Sequence, residues 1–382
     1  MKQKNCKTNE KKKLVLHIIY DLSVAGAQTV VMNYLREMEN DDEFDVGVIV
    51  RDGLKGTVYE EEVVEKGYFV DFCDYQPYQG NRIVRPIVNW IRCVKLLRRK
   101  INQYKPDIIH THLANIVPFA SIASVHSTTK VKIHTLHSDP EAIEKRYSIW
   151  TFLAIHLFGF FPICVTEEQA EKAKKIYKID DIKVIRNGLN QKKYKVDESK
   201  FEIRKELKIP AKNYVIGFVG TLCPIKNIDY LIDLFYDYHK TNLRSSLLIV
   251  GDGSEKNRLI QYCESLGIID SVFFVGQRND VERMYKSMDL FMLTSTFESS
   301  SIVTVEAQMS GVPCLVSDAI PRSVLFSNDS KSISLSSKKS VWLDAMDDIQ
   351  GTNQKDKSIE VFTLEYAIQE LKKVYKNLLR GK

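Results

Sequence analysis

At 382 residues, with 44% apolar and 27% charged side chains, the chain is long enough for two medium-sized domains and too apolar to be disordered. The net charge of +6 divides almost evenly between the two halves, and no helix-turn-helix pattern or RNP-like aromatic strand is present, so nucleic acid is not an expected partner. Seven scattered cysteines without a C-x-x-C argue against a disulfide frame and structural zinc and fit a reducing cytoplasm. The lysine-rich residues 1–13 read as a solvated tail with no signal peptide behind them. The apolar stretch 149–165 is interrupted by Gly159 and Pro162 and contains His156, too broken for a membrane span.

In chain order, a short apolar strand at 14–20 is followed by a loop and a helical pattern over 27–38. The rhythm repeats with strands at 46–50, 107–110, 131–137, 162–165 and 181–185. Between 46–50 and 107–110, the segment 86–105 reads as a helix with apolar positions Ile87, Ile91, Val94, Leu97 and Ile101. Its cations Arg92, Lys95, Arg98, Arg99 and Lys100 have two readings. They form either a solvated face or a dock for an anionic membrane surface, where each cation would add about 1 kcal/mol. After a polar, lysine-rich linker, strands at 214–219, 246–250, 271–275, 289–293 and 312–317 restart the pattern. Short, nearly all-apolar strands alternating with helices specify parallel sheets covered on both faces, hence two doubly wound α/β domains. The expected division is 1–190, 191–362 and a C-terminal helix, 363–382, with the stripe Leu364, Ala367, Leu371, Val374 and Leu378, packing back on the first domain.

Ligands of such sheets sit beyond the carboxyl ends of the strands, so strand-to-helix turns carry the chemistry. One turn runs Glu298-Ser299-Ser300-Ser301-Ile302-Val303-Thr304-Val305-Glu306, with Ser301 a candidate helix cap. Another, Gly217 through Asn227, sets Lys226 at a helix start, where the macrodipole disfavours a cation unless an anion lies between them. Gly26 stands at a third, where a backbone could approach a phosphate closely. Gly251-Asp252-Gly253 reads as a structural turn. Taken alone, the glutamate pair eight apart and the lysine are also compatible with purely structural roles.

These pieces in this order resemble the retaining, nucleotide-sugar-dependent glycosyltransferases of the GT4 family, of GT-B architecture. The resemblance spans nearly the whole chain. Its most specific part is the E-x7-E block from Glu298 through Glu306, continuing into Ala307-Gln308-Met309-Ser310-Gly311-Val312-Pro313. Asn187-Gly188, Lys226-Asn227, Gly251-Asp252-Gly253 and Phe273-Phe274-Val275-Gly276 match as well. The resemblance implies an inter-domain cleft and a sugar moved from a nucleoside diphosphate, UDP foremost, onto a growing glycan or lipid-linked acceptor with retained anomeric configuration. It places such a hexosyltransferase in capsule, O-antigen or exopolysaccharide assembly, in the cytoplasm or peripheral to the inner membrane face.

Residue by residue, the resemblance gives Glu306 the ribose hydroxyls and Glu298 the donor sugar. Lys226 takes the diphosphate, with the backbone of Ser301, Ile302 and Val303 and with Gly26. His137 lies beside the reacting sugar, with His134 the weaker choice. Lysine and a helix N-terminus can stabilise a departing diphosphate without a metal, and no D-x-D occurs, so neither metal nor other cofactor is expected. Three departures stand out. Thr221 sits where the family commonly has an arginine, a charge that Arg278 is the candidate to replace. Ser299-Ser300-Ser301 stands for a glycine-rich turn, and Ala25 for the first of two glycines. A sugar-nucleotide epimerase and a non-catalytic nucleotide-sugar binder are the alternative readings.

Overall fold

The computed structural model describes residues 12–23, 25–349 and 359–381; the lysine-rich start expected to form a tail lies outside the described residues. The chain divides into unit 1, Met1–Ile185 with Ile368–Lys382, and unit 2, Arg186–Ala367.

In unit 1 the strands are β1 (Lys13–Ile19), β2 (Phe44–Val50), β3 (Val70–Phe72), β4 (Ile108–His112), β5 (Val131–Leu136), β6 (Phe160–Cys164) and β7 (Lys183–Val184). Helices α1 (Gly26–Met38), α2 (Val58–Lys66), α3 (Arg85–Tyr104), α4 (Val117–Ala123), α5 (Lys145–His156) and α6 (Glu167–Tyr177) alternate with them. All pairs are parallel, in the order β3-β2-β1-β4-β5-β6-β7. Most strand residues are buried, Val15, Leu16, Ile18 and Ile19 of β1 completely, because helices cover both faces.

Two elements of unit 1 escaped the apolar pattern. Helix α2 starts at a capping box in which the Thr57 side chain accepts from Glu60 N and the Glu60 carboxylate accepts from Thr57 N, a T-x-x-E signal present in the sequence. Strand β3 is three residues long, too short to show a period. Of the apolar positions of α3, Val94, Leu97 and Ile101 are buried, as is Cys93, but Ile87 is 64% and Ile91 41% exposed. Ile83, four residues earlier, is 85% exposed.

Unit 2 repeats the plan with β8 (Tyr214–Val219), β9 (Ser245–Val250), β10 (Val272–Gly276), β11 (Leu290–Leu293), β12 (Cys314–Ser317) and β13 (Lys331–Ile333). Its helices are α7 (Lys200–Glu206), α8 (Ile228–Thr241), α9 (Lys256–Ser265), α10 (Val281–Ser287), α11 (Ile302–Met309) and α12 (Lys339–Asp348). The parallel order β10-β9-β8-β11-β12-β13 mirrors that of unit 1. Strand β13, a polar Lys-Ser-Ile in the Ser/Lys-rich stretch, gave no apolar signal. The approach to β11 is fixed by Asp289, which accepts from the buried Arg204 at 2.5 Å, from Lys200 at 2.7 Å and from Val215 N at 2.8 Å.

The last helix, α13 (Leu364–Arg380), follows a 3-10 turn over Ile359–Phe362. From Ile368 on it belongs to unit 1. There Leu371, Val374 and Tyr375 are buried, and Lys372 and Lys376 pair with Asp41 and Glu43 at 2.5 and 2.7 Å.

Candidate active site

Both sheets change direction where their first strand lies beside their fourth, β1 beside β4 and β8 beside β11, and the carboxyl ends of those strands are the natural ligand edges. In unit 2 the chain leaving β8 reaches Lys226 through a 3-10 turn (Pro224–Lys226), and Asn227 at φ 50° turns it into α8. The chain leaving β11 reaches Glu298 and then α11. The two loops clasp each other: Thr296 N donates to Ile225 O at 2.8 Å, and the Thr294 hydroxyl to Asn227 O at 2.9 Å. The clasp sets Lys226 Nζ 2.5 Å from Glu298 Oε1, which also accepts from the Ser295 hydroxyl at 2.9 Å. Glu298 therefore supplies the anion that relieves the cation at the α8 start.

The close backbone path needs glycine at 251. A Cβ there would lie 1.9 Å from Gly220 O, so Gly251 keeps the β9 loop against the loop leading to Lys226. Thr221 is exposed.

Ser301 stands at the N-cap position of α11 but does not cap it. Its hydroxyl lies 2.7 Å from Thr304 Oγ1 and makes no cap hydrogen bond to the first-turn N–H groups. Its backbone, at φ 20° and ψ 69°, occupies a region that favours glycine, which agrees with its standing in for a glycine-rich turn. The Ser300 hydroxyl accepts from Asn187 Nδ2 at 3.2 Å. Ser299, Ile302 and Val303 are half-buried beside it.

One turn and a half further, Glu306 holds each carboxylate oxygen to a tyrosine: Tyr194 donates to Oε1 at 2.8 Å and Tyr285 to Oε2 at 2.9 Å. Burial raises the Glu306 pKa, and the two phenol hydrogen bonds oppose that shift. Neither tyrosine was legible as a partner, since they lie 112 and 21 residues from Glu306. Arg278 forms a two-pronged pair with Asp280, at 2.8 and 2.7 Å, within a cluster that includes Arg283, Glu198 and Glu206. Its charge is already balanced.

In unit 1, Gly26 is the exposed first residue of α1, which has no side-chain cap. Nearby, burial acts to raise the Asp21 carboxyl. Hydrogen bonds from Ser23, Gln28 and Lys55 outweigh it and hold the pKa at about 2. His137, just beyond β5, is half-buried and its Nε2 lies 2.9 Å from His112 Nδ1. His134 instead faces Thr111, with Nδ1 3.0 Å from Oγ1. A cavity of about 620 Å³ opens near the ends of β1, β2 and β3, with Tyr20, Arg51, Lys55, Tyr75 and Trp90 in its wall. There the Arg51 guanidinium lies 3.2 Å from the Tyr20 ring centre and 4.8 Å from that of Tyr75, a stacking arrangement.

Two doubly wound units, the second with a charged pair at its switch point, define a protein of two α/β domains. The model of the glycosyl transferases group 1 matches residues 199–340 and that of Glycosyltransferase Family 4 residues 24–193. The chain belongs to the GT4 family and is a glycosyltransferase of the GT-B fold. It is 25% identical to the Escherichia coli UDP-Gal:alpha-D-GlcNAc-diphosphoundecaprenol alpha-1,3-galactosyltransferase, over 98% of this chain and 100% of that one. It is 24% identical to the putative glycosyltransferase EpsF of Bacillus subtilis, over 83% and 82%. Anabaena HepE, solved with UDP-glucose, superposes with a TM-score of 0.76 at 19% identity, over 95% and 99% of the two chains. Among the described residues, no helix is long and apolar enough to cross a membrane.

Proposed function

We propose that the chain transfers a hexose from a UDP-sugar to a lipid-linked or growing glycan acceptor, with retention and without a metal, in surface polysaccharide assembly. The observation that carries this reading is the Lys226–Glu298 pair, brought together by the two loops of the unit 2 switch point. A diphosphate reaching Lys226 takes its charge, and the uncapped N-terminus of α11 offers N–H groups to the same anion. Glu298, released from Lys226, is free to accept from hydroxyls of the donor sugar, while Glu306 takes the ribose. His137 serves the reacting sugar, as the family resemblance implies. The relatives support the donor class: one uses UDP-Gal by name, and another was solved with UDP-glucose.

The experiment is a thermal-shift screen. UDP and one UDP-sugar should raise the apparent stability, by about 2.7 kcal/mol at a hundredfold excess over Kd, whereas GDP- and ADP-sugars should not. No shift with any UDP compound would end the donor assignment.

The acceptor reading rests on unit 1. The aromatic cavity beside Arg51 suits a saccharide, and the exposed Ile83, Ile87 and Ile91 follow one another at four-residue intervals beside the exposed cations Arg92, Lys95 and Arg99. Such a face suits an anionic membrane carrying a lipid-linked acceptor. The protein should sediment with vesicles of phosphatidylglycerol and phosphatidylcholine but not with phosphatidylcholine alone, and Ile87→Asp with Ile91→Asp should abolish sedimentation. Binding equal on both vesicle types would refute the membrane contact.

A further inference from the structure

Strand pairing sets His17 of β1 opposite His110 of β4, and His112 of β4 opposite Thr135 of β5. Because side chains alternate at a period of two, His17, His110, His112 and His137 share one face of the sheet at its switch point. His17 Nδ1 lies 2.8 Å from His112 Nε2, and His112 Nδ1 lies 2.9 Å from His137 Nε2. His110 stacks on His112 with ring centres 4.4 Å apart, and its own nitrogens lie 2.8 Å from the Tyr375 hydroxyl and 2.7 Å from that of Thr135.

We propose that His17 and His112 form a directional imidazole chain that fixes His137 in its Nδ1–H tautomer, so that His137 meets the sugar as a hydrogen-bond donor. The inference deepens, and rests on, the reading of His137 as a residue of the sugar site. A neutral imidazole has one donor and one acceptor nitrogen, so a chain of three admits only two directions. The deciding atom is His17 Nε2, fully buried and without a partner among the described residues. In one direction it must carry an orphaned N–H, the rarer and costlier buried defect. In the other it is a bare nitrogen: His17 Nδ1–H donates to His112 Nε2, His112 Nδ1–H donates to His137 Nε2, and His137 is left with Nδ1–H. That nitrogen has no protein partner among the described residues.

Two other roles fit less well. A proton store would place an imidazolium in this cluster, yet among the described residues no carboxylate hydrogen-bonds to these rings. Burial pushes His17 and His137 down to about 3, and His112 falls well below its usual value through burial and its histidine neighbours. The chain is therefore neutral near pH 7. As a metal centre, His17, His110 and His112 bring ligand atoms within 4.8 Å of one another. The hydrogen-bonded nitrogens are nonetheless closer than the roughly 3.3 Å that two imidazoles keep on one tetrahedral zinc, and stacked rings aim side by side instead of at a common centre.

The test is 15N NMR of histidine-labelled full-length protein together with UDP release from UDP-glucose. In the unsubstituted protein, His137 should show a protonated Nδ1 and a bare Nε2. His112→Phe, which keeps a ring against His110, should lose that preference and slow UDP release roughly five- to tenfold, the worth of one hydrogen bond, at unchanged KM for the donor. His112→Asn, whose amide N–H replaces Nδ1–H, should restore most of both. His17→Phe reads the same chain from its far end should His112→Phe fail to fold. An Nε2–H tautomer in the unsubstituted protein, an unaltered His137 signal in the Phe variants, or stoichiometric zinc in the purified protein would overturn the proposal. Full activity of His137→Ala would instead remove His137 from the sugar site, and the NMR spectra would still decide the chain.

Discussion

Glu306→Ala should abolish sugar transfer while leaving the fold intact, a loss of about a hundredfold or more in kcat/KM. Tyr194 and Tyr285 each occupy one carboxylate oxygen of Glu306, and each oxygen keeps a second lone pair. A ribose with two adjacent hydroxyls matches two such acceptors held at fixed spacing. Hydrogen bonds to a charged group are worth about 1.5–3 kcal/mol each, so losing two corresponds to roughly a hundred- to ten-thousandfold. The measurement is UDP affinity by calorimetry alongside transfer rate, with circular dichroism as the control for folding. The pH dependence has a definite sign. The folded-state pKa of Glu306 is raised, mainly by burial, so the carboxylate is lost on acidification sooner than a surface glutamate would be. Donor affinity should therefore fall with pH from a point above the ordinary glutamate range, and Glu306→Gln should remove that step. Full transfer activity in Glu306→Ala would refute the ribose assignment.

Lys226→Ala should cost about 2.7–4 kcal/mol in the transition state, a hundred- to thousandfold in rate, because the charge that builds on the departing diphosphate loses its fixed cation. Without its partner, the half-buried Glu298 carboxylate faces the incoming anion alone. Binding of UDP should weaken more than binding of uridine, since only the former carries the phosphates. Arg278→Ala is the companion variant. Asp280 already engages its guanidinium through two hydrogen bonds, so it can replace the family arginine missing at Thr221 only by leaving that partner. Unchanged donor affinity in Arg278→Ala would assign it to the local ion cluster, and an equal effect of Lys226→Ala on UDP and uridine would dismiss the phosphate contact.

The turns that hold the candidate site residues were legible where local pattern dictates local structure. Lys226 and Glu298 both stand in strand-to-helix turns, each marked by a short apolar strand ahead of it and a helical pattern behind. The apolar positions of the 86–105 helix were legible, but helical spacing does not say whether a partner covers their whole length, and Ile87 and Ile91 are exposed. Ser301 looked like a cap because its residue type caps helices, but its hydroxyl found Thr304 nearer. Strand β13 was missed because three residues of mixed polarity have no measurable period, and α2 because its capping box was passed over in favour of apolar runs.

The amino-acid order alone determined two successive doubly wound halves and the charged residues at their strand ends, since alternation and turn chemistry act between near neighbours. Tertiary packing alone decided that Lys226 lies against Glu298, 72 residues away, that Tyr194 grips Glu306 across 112, and that His17 meets His112 across 95. Such partners are chosen by which strands become neighbours in a sheet, and strand order is a property of the assembled fold that no local period encodes.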